Sequence, residues 1–142
     1  MTDAINHSDK IAPLNQSALE GIRILDFTRY QQGPFATVLL SDMGAEIIKV
    51  EEPGGEPGRA TGLQQDGFSA YFEAHNRGKK SITLDLHHES AREAVCKLIP
   101  SCDVVVENFR PGIMEKWQLG YNDLVKLREN IILASGSSFG RN

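Results

Sequence analysis

The segment from Gly21 to Glu51 constrains the fold more than any other part of this chain. An apolar run at 22–27 ends at a polar turn closed by Gly33 and Pro34, and an amphipathic stretch and a second β-branched run follow. Short apolar runs that alternate with a helical pattern predict a β-α-β unit with parallel strands. The first turn of such a unit is where α/β proteins bind the anionic end of a nucleotide.

The turn between Phe27 and Pro34 lacks the two common phosphate-binding signatures. It contains no G-x-G-x-x-G pattern and no G-x-x-x-x-G-K-[ST] loop. This excludes an ordinary dinucleotide fingerprint and an ATP-type P-loop. We predict that the helix after the turn begins at Pro34 and runs to Met43, with Gly44 as its C-terminal stop.

The rest of the chain continues the same alternation of strands and helices. Predicted strands at 81–86, 103–107 and 131–134 follow those at 22–27 and 46–51, and helical patterns lie between them. Continuously apolar strands separated by helices are typical of a parallel sheet that is covered on both faces. We therefore predict an α/β fold with a Rossmann-like parallel sheet, helices on both faces, and a truncated end.

A Pro/Gly-rich segment at 53–67 separates the second strand from a short helix predicted at 68–75. Connectors of this length without secondary structure are uncommon in compact domains, and they are usually functional or disordered. Two alternatives stay open for it. It is either mobile or a loop that covers a ligand.

The composition is that of one ordinary globular domain preceded by a leader. Of the 142 residues, 40% are apolar and 24% charged, as in typical globular proteins. Residues 1–18 are polar and aperiodic, so we predict a flexible leader there and a single domain over 19–142.

Charge and cysteine usage exclude several classes of protein. The net charge of −4 argues against broad nucleic-acid binding, which needs a basic surface. No apolar run is long enough to cross a bilayer, and the N-terminus has acids and no apolar h-region, so we expect neither a membrane protein nor a secretory signal. Cys96 and Cys102 are then expected to be reduced thiols in a cytoplasmic protein.

The predicted topology points to a ligand site independently of any motif. In a doubly wound sheet of order 3-2-1-4-5, the strand order reverses between the first and fourth strands, and ligands bind beyond their carboxyl ends. The segment Tyr30–Gly33 follows the first strand, and Asn108–Arg110 follows the fourth. Both segments open helices, whose free N–H groups favour phosphate or carboxylate. The two separate segments are therefore expected to form one site.

Several side chains with possible chemistry have simpler interpretations. We expect Asp26 and Asp85 to cap turns or to pair with a base, since a catalytic carboxylate needs an activating environment. The three histidines at 75, 87 and 88 lack a further ligand at a suitable spacing, so no metal site is expected. Cys96 and Trp117 are expected to pack in the core.

Two interpretations stay open between structure and ligand binding. The basic cluster Arg77, Lys79 and Lys80 is either a solvated surface or a phosphate clamp. Asn108 either contacts a ligand or caps the helix that follows it.

Four motifs resemble those of one family. They are GAEIIKVE at 44–51, NRGKKSITLDL at 76–86, DVVVENFRPGIMEKWQLGY at 103–121 and IILASGSSFG at 131–140, and all four stand in the family's order. Together with the DFT and QQGP wording of the first turn, they resemble the N-terminal portion of the family III CoA-transferases, also called the CaiB/BaiF type. The resemblance runs from about Leu19 to Gly140.

The resemblance implies a substrate and a set of site residues. Family members move coenzyme A between carboxylic acids, so coenzyme A or acyl-CoA is expected as a substrate and not as a permanently bound cofactor. The resemblance implies that the coenzyme A site is lined by Tyr30, Gln31, Gln32, Leu84, Asp85, Leu86, His87, Asn108, Phe109, Arg110 and Lys116. Lys116 replaces an arginine of some members and keeps the charge without the planar fork. Glu52 stands where some relatives have an arginine near the adenine end.

The resemblance also implies what this chain does not contain. The family's catalytic aspartate, which forms an acyl-aspartyl intermediate, corresponds to a position downstream of Asn142, and so does the second domain that interlocks two subunits. We therefore expect no catalytic residue in this chain, an incomplete N-terminal coenzyme A-binding domain at 19–142, and a homodimer for the complete protein.

Three functions remain open at this point. The first is a CoA-transferase acting on an acyl-CoA and a carboxylic acid. The second is a 2-methylacyl-CoA racemase of the same family. The third is a non-catalytic coenzyme A-binding fragment.

Overall fold

The computed structural model describes residues 17–140, and the predicted leader lies, except for Ser17 and Ala18, outside the described residues. The elements alternate as the sequence predicts. In chain order they are β1 (Arg23–Asp26), α1 (Gln32–Asp42), β2 (Glu46–Glu51), a 3-10 turn (Pro57–Ala60), β3 (Gln64–Gln65), β4 (Phe68–Ser69), α2 (Ala70–Asn76), β5 (Lys80–Thr83), α3 (Glu89–Leu98), a second 3-10 turn (Ile99–Ser101), β6 (Val104–Glu107), α4 (Ile113–Lys116), α5 (Tyr121–Leu127) and β7 (Ile132–Ser135).

Five strands form one parallel sheet of order β5-β2-β1-β6-β7. This is the predicted 3-2-1-4-5 arrangement. Ile24 in the central strand pairs with Ile47 of β2 on one side and with Val104 of β6 on the other. The order reverses between β1 and β6, so the switch point lies where the sequence predicts it.

Apolar side chains cover both faces of the sheet. On one face, Leu25, Phe27 and Val105 join the buried side chains of α3, α4 and α5. On the other, Ile24, Ala45 and Ile47 form a smaller cluster with partly buried residues of α1, of β6 and of the segment before β1. Alternate residues of each strand point to opposite faces, and the neighbours Ile24 and Leu25 are both buried, so β1 lies between two layers.

Helix α1 begins two residues earlier than predicted. It starts at Gln32 and not at Pro34, which is its third residue. Proline is tolerated there because the first four N–H groups of a helix have no intrahelical partner. The predicted stop is confirmed: Gly44 has a φ of 100°, and its N–H donates to the Ser41 carbonyl at 2.9 Å.

The long connector at 53–67 has regular structure of its own. It contains the first 3-10 turn and most of the β3–β4 hairpin, which reverses at Asp66 and Gly67. Arg59 ties the connector to the sheet through Glu51, and its guanidinium also lies 3.8 Å from the centre of the Phe72 ring. Leu63 and Phe68 are 79% and 66% exposed, so the hairpin presents apolar side chains to solvent.

Strand β7 is an edge of the sheet within the described residues. Its first residue, Ile132, is 59% exposed. Beside this edge, Leu124 belongs to the buried core cluster of the α3–α5 face. Leu127 and Trp117 are partly exposed. No helix within residues 17–140 is long and apolar enough to cross a membrane.

Candidate functional site

A cavity of about 230 Å³ lies beyond the carboxyl ends of the central strands. Four of the residues implied by the motifs, Leu84 to His87, form one wall directly after β5. Phe109, after β6, closes the opposite side. The full lining is Phe27, Arg29, Val50, Glu51, Glu52, Pro53, Leu84, Asp85, Leu86, His87, Phe109 and Trp117.

Two further cavities adjoin the first through shared residues. One, of about 410 Å³, lies between the ends of β6 and β7 and is lined by Gln32, Asn108, Phe109, Arg110, Pro111 and residues 136–140. The other, of about 530 Å³, lies over the start of α1 and is lined by Arg29, Tyr30, Gln31, Gln32, Phe35, His75 and Asn108. We call the three together the cleft.

The cleft contains ten of the eleven site residues that the sequence predicts. The exception is Lys116, which is exposed on α4 beside Trp117 and lines none of the three cavities. The topological prediction therefore brings together residues that are far apart in the sequence.

Asn108 joins the segment after β1 to the segment after β6. Its Oδ1 accepts from the Arg29 N–H at 2.8 Å, and its Nδ2 donates to the Arg29 carbonyl at 3.0 Å. The amide thus pairs with both backbone groups of one residue, as a neighbouring strand would. Asn108 is not a helix cap, since the following helix α4 is capped at Gly112 without a side-chain bond.

The segment after β1, residues 27–31, is called the β1 loop below, and it is held from several directions. Lys49 donates from Nζ to the Thr28 carbonyl at 2.7 Å, and Glu56 accepts from the Tyr30 N–H at 2.6 Å. Tyr30 has a φ of 65°, a left-handed conformation that is disfavoured for a residue with a Cβ. Residues held in such conformations persist only where their surroundings fix them.

Asp26 is a buried structural carboxylate, as predicted. It accepts from the Thr28 N–H and Oγ1, from Thr37 Oγ1 at 2.6 Å and from Lys79 Nζ at 3.0 Å. Burial by itself would raise the pKa of Asp26, but Lys49, Lys79 and the two threonine hydroxyls outweigh it and hold the pKa below its usual value.

The basic cluster divides into two parts: Arg77 and Lys80 are exposed, as a solvated surface predicts, whereas the side chain of Lys79 is buried. Lys79 bonds to Asp26, to the Pro34 carbonyl and to Asn76. Burial lowers the pKa of Lys79, and the Asp26 carboxylate opposes that shift. Arg77 pairs with Asp42 and Lys80 pairs with Glu46. The acidic partners Asp26, Asp42 and Glu46 lie 53, 35 and 34 residues from their bases in the sequence, which is why local pattern reading missed them.

Glu51 anchors the connector at the wall of the cleft. Its carboxylate accepts two hydrogen bonds from Arg59, at 2.6 and 2.7 Å, and one from Ser81 Oγ at 2.6 Å. Burial opposes ionisation, but these bonds and the backbone N–H of Glu56 lower the pKa of Glu51 to about 2. Glu51 is therefore ionised and saturated with donors, which suits a structural anchor better than a proton carrier.

An aromatic and cationic group forms the floor of the first cavity. Phe109 and Trp117 meet edge to face at 5.2 Å, and His87 meets Trp117 at 6.1 Å. The Arg29 guanidinium lies 4.9 Å from the centre of the Phe109 ring, and it pairs with Glu52 at 3.3 Å. Flat aromatic faces beside a guanidinium can stack on a heteroaromatic ring.

Sequence reasoning missed several of the lining residues. Arg29 lies three residues after the end of β1 and Pro53 two residues after the end of β2, so an argument from strand ends could have included them. Trp117 was expected only to pack, and it also lines the cavity. Phe35 and His75 carry no local signal, because their approach at 6.0 Å depends on how α1 packs on α2.

The histidines have partners other than a metal. His75 Nδ1 bonds to the Tyr71 carbonyl at 2.7 Å, and His88 Nε2 lies 3.4 Å from Asp85. Asp85 also accepts from the His87 N–H, so it caps a turn as predicted. Across residues 17–140, no cluster of three or more His, Cys, Asp or Glu side chains could hold a metal ion.

A parallel sheet with an open cleft at its switch point is the arrangement in which doubly wound α/β proteins bind their ligands. Comparison with known protein families identifies the family to which the chain belongs. The profile of CoA-transferase family III matches residues 19–142, and the chain belongs to that family.

Relatives of known function are similar over most of this chain. It is 42% identical over 128 residues to a succinyl-CoA:mesaconate CoA-transferase of Haloarcula hispanica, covering 87% of this chain and 32% of the relative. It is 45% identical over 127 residues to a formyl-CoA:oxalate CoA-transferase of Afipia carboxidovorans, covering 87% and 30%. The chain therefore spans about a third of the length of these relatives.

A solved structure shares the fold. The crystal structure of a CaiB/BaiF family protein from Brucella suis superimposes with a TM-score of 0.84 at 38% identity, over 89% of this chain and 35% of that one. The recognition of a CaiB/BaiF-type N-terminal portion and of its parallel α/β fold is confirmed.

Proposed function

We propose that this chain supplies the coenzyme A-binding part of an enzyme that moves coenzyme A between an acyl-CoA and a carboxylic acid. The observation that carries the proposal is the cleft, in which ten residues implied by the family motifs meet at the switch point. The relatives described above are CoA-transferases by name, which favours transfer over racemisation.

The cleft offers separate surfaces for the parts of an acyl-CoA. The floor made by Phe109, Trp117 and Arg29 suits the adenine ring, because stacking on an aromatic or guanidinium face needs no particular edge pattern. The start of α1 at Gln32 presents free N–H groups, which favour the negative charge of a pyrophosphate or carboxylate. The acyl end is then directed toward the cavity lined by Gln31, Phe35 and His75.

The chain's own residues bind and orient the thioester in this proposal. In this proposal an aspartate, the nucleophile that the family resemblance implies, accepts the acyl group. Coenzyme A is a substrate that leaves with a new acyl group, and it is not held as a permanent cofactor. We further propose that the protein works as a homodimer in the cytoplasm.

Thioester exchange tests this function. Succinyl-CoA would be incubated with the protein and a panel of dicarboxylic acids, and new acyl-CoA species would be followed by mass spectrometry. We expect a new thioester that depends on the acceptor. Release of free coenzyme A without a new thioester would contradict transfer, and α-proton exchange in a 2-methylacyl-CoA without transfer would favour the racemase.

A further inference from the structure

Glu56 is a buried carboxylate in the middle of the Pro/Gly-rich connector. Only 3% of the residue is exposed. Its Oε1 accepts from the Tyr30 N–H at 2.6 Å and from the Gly58 N–H at 2.8 Å. Its Oε2 has no hydrogen-bond partner among the described residues and lies 4.0 Å from Lys49 Nζ.

Glu56 and Lys49 hold the β1 loop on both sides of Arg29. Lys49 donates to the Thr28 carbonyl at 2.7 Å, while Glu56 accepts from the N–H of Tyr30. The lysine is as fully buried as the glutamate, with side-chain exposures of 1% and 2%. Two charges therefore lie in the interior and contact the backbone of one short loop.

Net stability is a poor explanation for this arrangement. The free-energy cost of removing two ions from water can exceed the attraction between charged atoms that are 4.0 Å apart, and a protein with apolar residues of similar size in their place is often as stable. The pair does have a geometric effect, because it fixes the backbone at a residue with a φ of 65°. The next two residues, Gln31 and Gln32, line the cleft.

We propose that Glu56 is a positioning residue, which holds Tyr30 in its left-handed conformation so that the following glutamines and the start of α1 face coenzyme A. The inference rests on the proposed function, since coenzyme A is taken as the ligand of this cleft. It gives the connector a definite role: the connector carries the carboxylate that sets the shape of the β1 loop.

Two substitutions and one matched control test the role. Glu56→Ala removes both acceptor contacts, and Glu56→Gln keeps one oxygen and the shape while it removes the charge. Glu46→Gln is the control, because Glu46 also carries ion pairs, with Arg23 and Lys80, but lies at the opposite end of β2. Affinity for coenzyme A is measured by calorimetric titration of the purified protein, and stability by denaturant unfolding.

We expect Glu56→Ala to weaken coenzyme A binding about tenfold, the equivalent of one hydrogen bond, with a smaller loss in Glu56→Gln. Glu46→Gln should leave the affinity unchanged. Hydrogen exchange at the Tyr30 amide should be slow in the unmodified protein and fast in Glu56→Ala. A background of Tyr30→Asn, which accepts the left-handed conformation more readily, should reduce the effect of Glu56→Ala on affinity.

A variant that unfolds more easily but binds coenzyme A with unchanged affinity would overturn the positioning role, and so would unchanged protection of the Tyr30 amide. If Glu56→Ala does not fold, the affinity of Glu56→Gln decides, because the remaining oxygen of the glutamine still accepts from the Tyr30 N–H. If the unmodified protein does not bind coenzyme A, the proposed function fails, and hydrogen exchange alone then decides whether Glu56 fixes Tyr30.

Discussion

Asn108 pairs with both backbone groups of Arg29, at 2.8 and 3.0 Å, across 79 residues of sequence. The pairing extends the contact between β1 and β6 past the point where their backbone ladder ends at Asp26 and Val106. The Asn108 side chain thus forms the two hydrogen bonds that a neighbouring strand would form, at the position where β1 and β6 diverge to open the cleft.

Replacement of Asn108 by alanine should destabilise the protein by about 1–2 kcal/mol, because two partly buried backbone groups lose their partners. Affinity for coenzyme A should fall as well, since the two loops are no longer tied together. Denaturant unfolding and calorimetric titration measure the two effects. The control is Asn130→Ala, an exposed asparagine in the turn before β7, and a similar loss of stability there would contradict the special role of Asn108.

Replacement of Gln31 by alanine should weaken coenzyme A binding by about 1 kcal/mol, the scale of one lost hydrogen bond. Gln31 is exposed at the start of α1, and its side chain makes no capping bond, so the free energy of unfolding should barely change. Calorimetric titration at one salt concentration is the measurement. An unchanged affinity would remove Gln31 from the ligand site.

Replacement of Gly33 by alanine should destabilise the protein by about 1–3 kcal/mol through overpacking. A Cβ at this position would lie 2.4 Å from the Cβ and Cγ2 of Thr28, and Thr28 is itself fixed by Asp26. The matched control is Gly136→Ala, whose new Cβ would make only ordinary contacts at 3.6 Å or more. Equal midpoints of thermal unfolding for Gly33→Ala and Gly136→Ala would contradict this prediction, because they would show that the β1 loop moves to accommodate the new Cβ.

The protein should lose stability as the pH falls from about 4.5 toward 2, in part because of Glu51. The pKa of Glu51 is lowered from 4.5 to about 2 in the folded state, so its contribution is complete above pH 4.5 and disappears as the carboxylate is protonated. We expect this contribution to be about 2 kcal/mol, allowing for solvent around the half-exposed Arg59. Unfolding of Glu51→Gln across this range should show a correspondingly flatter pH dependence.

A polypeptide of these 142 residues should associate with itself at high concentration. Strand β7 pairs only with β6 within the described residues, and Ile132 at its start is largely exposed. Unpaired apolar edges favour pairing with another chain. Sedimentation velocity of Ile132→Lys should show less association than the unmodified polypeptide, and a concentration-independent monomer in both would contradict the expectation.

The five strands of the parallel sheet were predictable from the sequence because each is a local apolar run. The doubly wound order 3-2-1-4-5 then fixes which carboxyl ends meet. Tyr30 and Asn108 were therefore placed in one site without any structure.

The buried charges were not predictable by the same reasoning. Lys79 stands in a basic run and Glu56 in a Pro/Gly-rich connector, and both contexts are typical of solvated surface. Their burial depends on partners far away in the sequence, Asp26 for the lysine and the backbone of Tyr30 for the glutamate. The pairing of Asn108 was hidden for a related reason, since its partner is a backbone that carries no side-chain signal.

The bond between Arg29 and Asn108 also has a consequence for the order of folding. The cleft cannot exist until β6 has docked beside β1, an event that closes a long loop and is therefore slow compared with local helix formation. Ligand affinity is thus acquired late. Coenzyme A added during refolding would stabilise only molecules that have completed this docking. The time at which binding appears would therefore report when β6 docks beside β1.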